Sequence, residues 1–173
     1  IITAIFLQLI LKALKFYSTN NKKLAISFRE ALIKGMPNDN GLYMPEEIPN
    51  HEKLIQGIHD LSFQDISYIV AESILSEDFK KSEIEDIIDQ SITFDSPIVN
   101  LYNQVNILEL FHGPTLAFKD YGARFMARTM ENVVSKNDKE LNILVATSGD
   151  TGSAVAHGFY GVEGINVIIL YPS

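Results

Sequence analysis

The stretch Leu141–Ser173, LNILVATSGDTGSAVAHGFYGVEGINVIILYPS, decides the fold. LNILVA is an apolar run of strand length, SGDTG a tight turn, SAVAHGFYG a helix, and INVIILYP a second apolar strand. Strand, helix and strand in that order make a βαβ unit, which implies a parallel sheet with a right-handed crossover. The turn Ser148 to Gly152 then falls at the carboxyl end of a strand and the amino end of a helix. Unpaired backbone N–H groups and the helix dipole favour an anion there. Two glycines admit a ligand close to the backbone, while Ser148, Asp150 and Thr151 add hydrogen-bonding side chains. The pentapeptide is neither GxxxxGK nor GxGxxG, so a nucleotide reading has no support. A structural alternative stands beside the anion cradle: a plain strand-to-helix turn with Asp150 or Thr151 as N-cap.

Working backwards, LFHGPTLAFKDYGARFMARTM (Leu110–Met130) leads into a helix expected over Lys119 to Val134. A lysine at a helix start is disfavoured by the dipole. Phe111, Leu116, Ala117 and Phe118 supply apolar bulk around it, and desolvation together with the positive helix end favours a neutral amine. A neutral amine is the nucleophile that Schiff-base chemistry with a carbonyl requires. The plain alternative is a surface lysine, and the adjacent Asp120 is a possible counter-ion. Before this motif, VNLYNQVNILELF gives two short strands. From Leu14 to about Thr93 the pattern is mainly helical, with capped starts at Ser27 (Glu30 at the third helical position) and at Ser62 (Asp65). Gly35 ends the first of these helices, and PNDNGLYMPEEIP is turn-rich. Ile84, Ile87 and Ile88 share one face of a further helix, and the acids around them read as a solvated face.

Length and composition bound the function. The chain has 173 residues, 46% apolar and 21% charged, ordinary globular values. A formal net charge of -8 argues against a nucleic-acid partner bound through its phosphates. No cysteine is present, which removes disulfides and thiolate metal sites and fits a cytoplasmic protein. The four histidines form no HxxxH pair and no carboxylate cluster accompanies them, so no metal site is expected. His112 reads equally as a structural donor or a catalytic group, His157 as a packing residue, and Arg124 and Arg128 as solvent-exposed, with a phosphate contact as the sharper alternative. Residues 1–13 form an apolar extension that is shorter than the about 20 residues that span a bilayer. No membrane association is expected. The absence of an initiator Met and the closing strand NVIILYPS suggest an incomplete stretch of a longer protein.

FHGPTLAFKD followed by ATSGDTGSAVAHGFYG closely resembles the threonine synthases, pyridoxal-phosphate enzymes of the tryptophan-synthase-β-like group, fold type II. KFYSTNNKKLAISFREALIKGMPNDNGLYMPEEIP is similar to the start of those enzymes. The resemblance implies an α/β fold: an amino-terminal, mainly helical domain over residues 14–93, then a partial catalytic domain over residues 94–173. It implies pyridoxal 5'-phosphate as cofactor, held on Lys119, with Asp150 near the cofactor's 3'-oxygen. It implies that Ser148, Gly149, Thr151 and Gly152, with Thr115, receive the substrate, O-phospho-L-homoserine, which water converts to L-threonine and phosphate. By the family's order, the loop for the cofactor phosphate and the group facing the pyridine nitrogen lie beyond Ser173. Two other readings stay open: a related phospho-lyase that makes a 2-oxo acid, and a non-catalytic fragment that acts as an interaction domain. An isolated partial sheet is expected to have an open edge and an uncovered face.

Overall fold

A computed structural model describes residues 14–134 and 140–172. The apolar extension 1–13 and most of the polar loop SKNDKE lie outside the described residues. The chain divides into two compact units at Asn50/His51.

In the first unit, strands β1 (Phe16–Ser18), β2 (Asn21–Ile26) and β3 (Tyr43–Pro45) form an antiparallel sheet in the order β2-β1-β3. Sequence pattern places a polar turn at Ser18 to Lys23, whereas the turn is only Thr19–Asn20 and NKKLAI is a strand. The signal is missing because β2 is an edge strand exposed on both faces for most of its length, so no alternation marks it. Helix α1 (Phe28–Lys34) starts as expected. Ser27 Oγ accepts from the Glu30 N–H, Glu30 reaches back to the Ser27 N–H, and Gly35 (φ 68°) ends the helix. Phe28 meets the buried Phe16 edge-on, with ring centroids 5.5 Å apart. The turn-rich loop is pinned by Asp39, whose Oδ1 accepts from Ser18 Oγ (2.7 Å) and the Gly41 N–H (3.0 Å).

In the second unit, α2 (Glu52–Gly57) and a short 3-10 turn precede α3 (Phe63–Leu75) and α4 (Lys81–Ser91). Ile84, Ile87 and Ile88 are buried to 3% exposure or less, so the apolar stripe of α4 is the core face that the sequence indicates. Strands β4 (Ile98–Tyr102) and β5 (Val105–Leu108) form an antiparallel hairpin exposed along its length. Helix α5 (Lys119–Val134) follows, then β6 (Leu141–Ala146), α6 (Asp150–Phe159) and β7 (Ile165–Leu170). Strands β6 and β7 pair in parallel from Leu141↔Ile165 to Ala146↔Leu170, completing the βαβ unit. Ile143, Val145, Val167 and Ile169 lie on the more buried face, whereas Leu144, Ile168 and Leu170 are exposed on the other. Helix α5 packs against both α4 and α6. Gly158 brings the backbone of α6 against that of Ala123: an added Cβ would lie 3.1 Å from the Ala123 carbonyl carbon.

Arg124 ties α5 to the end of α4. Its guanidinium donates to the carbonyls of Gln90 (2.8 Å) and Ser91 (3.1 Å) and to Thr93 Oγ1 (3.0 Å). A solvent-exposed arginine is therefore not what the fold contains: Arg124 satisfies carbonyls in the last turn of α4, where a cation suits the dipole. Arg128 pairs within its own helix with Glu131 (2.9 Å). Neither guanidinium is held for a phosphate. His157 is exposed on α6, not packed as the sequence suggests.

Two outcomes follow from these contacts. Arg124→Ala is expected to lower unfolding free energy by about 1–3 kcal/mol, read from urea denaturation, with Arg124→Lys recovering only part because an ammonium cannot span three acceptors as the planar fork does. The Asp65 carboxyl is held below the usual carboxylate range by hydrogen bonds from the Ser62 hydroxyl and N–H at the start of α3. Its stabilising contribution is present above the unfolded-state value and is lost as pH falls through the lowered folded-state value. Melting temperature should fall less steeply on acidification in Asp65→Asn than in the parent chain.

Candidate active site

Helices α5 and α6 begin side by side, and each opens with a charged residue. Lys119 is the first residue of α5 and Asp150 the first of α6. Lys119 Nζ donates to Asp150 Oδ2 at 3.2 Å, so residues 31 positions apart meet through the fold alone. Each placement has a different local logic. A carboxylate at a helix start complements the dipole, whereas a lysine does not. The Asp150 carboxylate supplies the counter-charge that Lys119 does not find on its own helix, where the first-turn acid Asp120 is bound to Thr115.

The apolar surroundings expected of Lys119 are only partly there. Ala117 is buried, and the amine sits 4.5 Å from the centre of the Phe118 ring. Leu116 and Phe118 are themselves largely exposed, and Phe111 stacks on His112. The lysine side chain keeps 32% of its exposure. It is an accessible amine held by an ion pair, not one stripped of water. Asp120, the other possible counter-ion, turns away. Its side chain is fully buried and accepts two hydrogen bonds from Thr115, one from the backbone N–H (2.8 Å) and one from the hydroxyl (2.6 Å). Thr115 thus gives its hydroxyl proton to Asp120. His112 pairs with Glu109 at 2.7 Å.

The turn between β6 and α6 follows a different plan from the plain capped one. Gly149, not Asp150 or Thr151, is the N-cap residue, and the helix start has no side-chain cap. The Gly152 N–H donates to the Gly149 carbonyl (3.1 Å), which leaves those of Asp150 and Thr151 to other acceptors, as an anion cradle needs. Thr147, which sequence reasoning overlooked, shapes the turn. Its Oγ1 accepts from the Gly149 N–H (3.2 Å), and its own N–H donates to the Leu170 carbonyl (2.9 Å), anchoring the turn to β7. The available signal was a threonine two residues before a glycine at a strand end, the pattern of a hydroxyl-closed turn. Ser148 and Gly149 are exposed, Thr151 is half-buried, and Gly152 is buried against the Thr147 methyl. Thr147, Ser148, Gly149, Gly152, Ser153 and Tyr171 are among the residues that line an open groove beside this turn.

The donor set fits pyridoxal 5'-phosphate in part. A primary amine is accessible to an aldehyde, and exposed N–H and hydroxyl groups next to it suit a carboxylate. Among the described residues no group of histidine, aspartate and glutamate side chains could hold a metal ion, and no helix is long and apolar enough to cross a membrane.

Comparison with known proteins relates the chain to one family. Residues 15–92 match the family model described as "Threonine synthase N terminus". Threonine synthase from Haemophilus influenzae is 38% identical over 159 residues, and that from Escherichia coli 38% over 160 residues; each alignment covers 92% of this chain and 37% of the relative. The crystal structure of threonine synthase from E. coli superposes with a TM-score of 0.82 over 91% of this chain and 37% of its own length. The structure of PLP-bound threonine synthase from Brucella melitensis gives 0.86 at 32% identity, over 92% and 36%. The chain therefore spans little more than a third of the length of the relatives it matches.

Gly152→Ala should destabilise the chain by about 1–3 kcal/mol, because its methyl would overlap that of Thr147 in a packed turn. Gly149→Ala, at a position with no atom near the added Cβ and no left-handed backbone, should change the melting temperature far less. Paired thermal melts compare the two.

Proposed function

We propose that this chain, which is the amino-terminal portion of a threonine synthase family protein, carries the amine and the carboxylate cradle with which that protein converts O-phospho-L-homoserine and water to L-threonine and phosphate. The observation that carries this reading is the meeting of Lys119 Nζ and Asp150 Oδ2 at 3.2 Å, beside the uncapped start of α6. Lys119 would hold pyridoxal 5'-phosphate through Nζ, with Asp150 beside it. When bound, that group supplies an electron sink for carbanions next to the substrate nitrogen.

The chain's own residues have distinct tasks. Lys119 Nζ, at the junction of two helices, would take a proton from the substrate's α carbon and return protons at neighbouring carbons. Asp150 holds Nζ in place as its counter-charge, which limits where the amine can reach. The Ser148 and Thr151 hydroxyls and the N–H groups of Asp150 and Thr151 would offer donors to the substrate carboxylate, at a helix end whose dipole favours a negative group. The N–H groups of Gly149 and Gly152 are bound to Thr147 Oγ1 and to the Gly149 carbonyl, so these glycines would shape the turn. Thr115 is bound to Asp120, so its contribution to substrate binding would run through its remaining lone pair and the shape of its turn.

The relatives are more than twice as long as this chain, and the resemblance implies that the groups for the cofactor phosphate and ring nitrogen follow later in the sequence. Residues 1–173 alone are thus expected to react with the cofactor reversibly and weakly, and not to turn over. Incubation with pyridoxal phosphate followed by borohydride reduction and peptide mapping should place the label preferentially on Lys119 and lose it in Lys119→Ala. Labelling spread evenly over the lysines would count against the assignment. A visible absorbance band that survives dialysis of the chain would overturn the expected weak binding. Threonine among the products of the full-length protein separates this reading from a related lyase that releases a 2-oxo acid.

A further inference from the structure

We propose that Asp120 is the positioning residue for Lys119: it fastens a strained turn ahead of α5, and that turn aims the lysine at Asp150. The proposal builds on the reading of Lys119 as the reactive amine. Asp120 is a carboxylate with no exposure, yet both oxygens are committed to a single residue, Thr115. The loop is wound back on itself as well. The Leu116 N–H donates to the Gly113 carbonyl (3.1 Å), and the Asp120 N–H to the Ala117 carbonyl (3.0 Å).

At the crest of this turn Leu116 has φ 59°, in the left-handed region that a residue with a Cβ disfavours. It is also 74% exposed, so burial of its side chain does not offset the strain. What holds the turn is the pair of Thr115 hydrogen bonds to Asp120, each strengthened by the carboxylate's charge. The fit is close on the far side too, since a Cβ on Gly113 would lie 2.5 Å from Asp120 Oδ2. Strained backbone persists only where the surroundings fix it, and it concentrates beside functional groups.

The consequence for Lys119 is directional. Successive side chains leave a helix about 100° apart, so fixing Asp120 inward sets the direction in which Lys119 departs. Asp120 cannot itself hold the amine, because its oxygens face Thr115. Charge and aim are thus divided between two acids: Asp150 pairs with the lysine, and Asp120 determines that it points there.

The test measures protection of Lys119 in the 173-residue chain by trace acetylation with acetic anhydride at fixed pH, quantified at each lysine by mass spectrometry. Asp150→Asn should raise the rate at Lys119 roughly two- to fivefold, the range of a part-exposed ion pair. Asp120→Ala should raise it by a similar factor, and adding Asp150→Asn to that variant should then change nothing further. Leu116→Gly placed in the Asp120→Ala background should restore both the protection and its dependence on Asp150, because glycine adopts the turn without a fastener. A residue needed only for general stability has no reason to be rescued in this way. Thr115→Val removes one hydrogen bond while keeping the carboxylate, and should move in the same direction as Asp120→Ala; it supplies the answer if circular dichroism shows that Asp120→Ala is unfolded. An unchanged rate at Lys119 in the folded variants, or an Asp150→Asn effect that persists in full without Asp120, overturns the proposal. If borohydride trapping of pyridoxal phosphate fails on the parent chain while the acetylation cycle behaves as described, the cofactor reading falls and the positioning role stands.

Discussion

The ion pair between Lys119 and Asp150 is the contact on which the candidate site depends, and it exists because two helices begin at the same place. Two positive helix ends set close together repel weakly, and a lysine on one of them adds to the cost. The arrangement is stabilised by acids on both helices. Asp150 pairs with the lysine from the start of α6, and Asp120 lies buried in the first turn of α5. The lysine is thereby an accessible amine with a defined direction, which is what carbonyl chemistry asks of it.

The packing behind the site makes that meeting reproducible. Helix α5 lies against α4 on one side and α6 on the other, with Ala127, Met130 and Val133 buried along it. Arg124 closes the last turn of α4, and Gly158 permits close approach of α6. Strands β6 and β7 carry the turn Ser148 to Gly152 at their carboxyl ends, and Thr147 fastens that turn to Leu170. Ligands of open parallel sheets bind at this end of the strands. The exposed face of Leu144, Ile168 and Leu170 and the exposed β4–β5 hairpin accord with a chain that spans about 37% of its relatives' length.

The parts of the fold legible in the sequence are those where local chemistry and tertiary context agree. Ser27 with Glu30 and Ser62 with Asp65 specify helix starts whatever surrounds them, and the isoleucines of α4 mark a single buried stripe. Strand β2 is illegible for the opposite reason, since neither of its faces is buried along most of its length. Arg124 and His157 mislead because a side chain's reach, or its exposure, depends on which element lies opposite. The turn at Ser148 was legible as a strand-to-helix junction from the apolar run before it and the helical pattern after it. Its cap residue was not, because Thr147 takes the shaping role expected of Asp150 or Thr151.

By itself, the sequence determined the βαβ unit, the lysine that opens α5 and the glycine-bearing turn that precedes α6. Apolar periodicity and helix-end chemistry are properties of neighbouring residues, and they need no partner to be read. Only the tertiary structure decided which acid serves the lysine. Asp120 is adjacent in sequence but faces Thr115, and Asp150 is 31 residues away but within 3.2 Å. The physical reason is that helix geometry sends adjacent side chains in different directions, while the packing of α5 on α6 brings distant helix ends together.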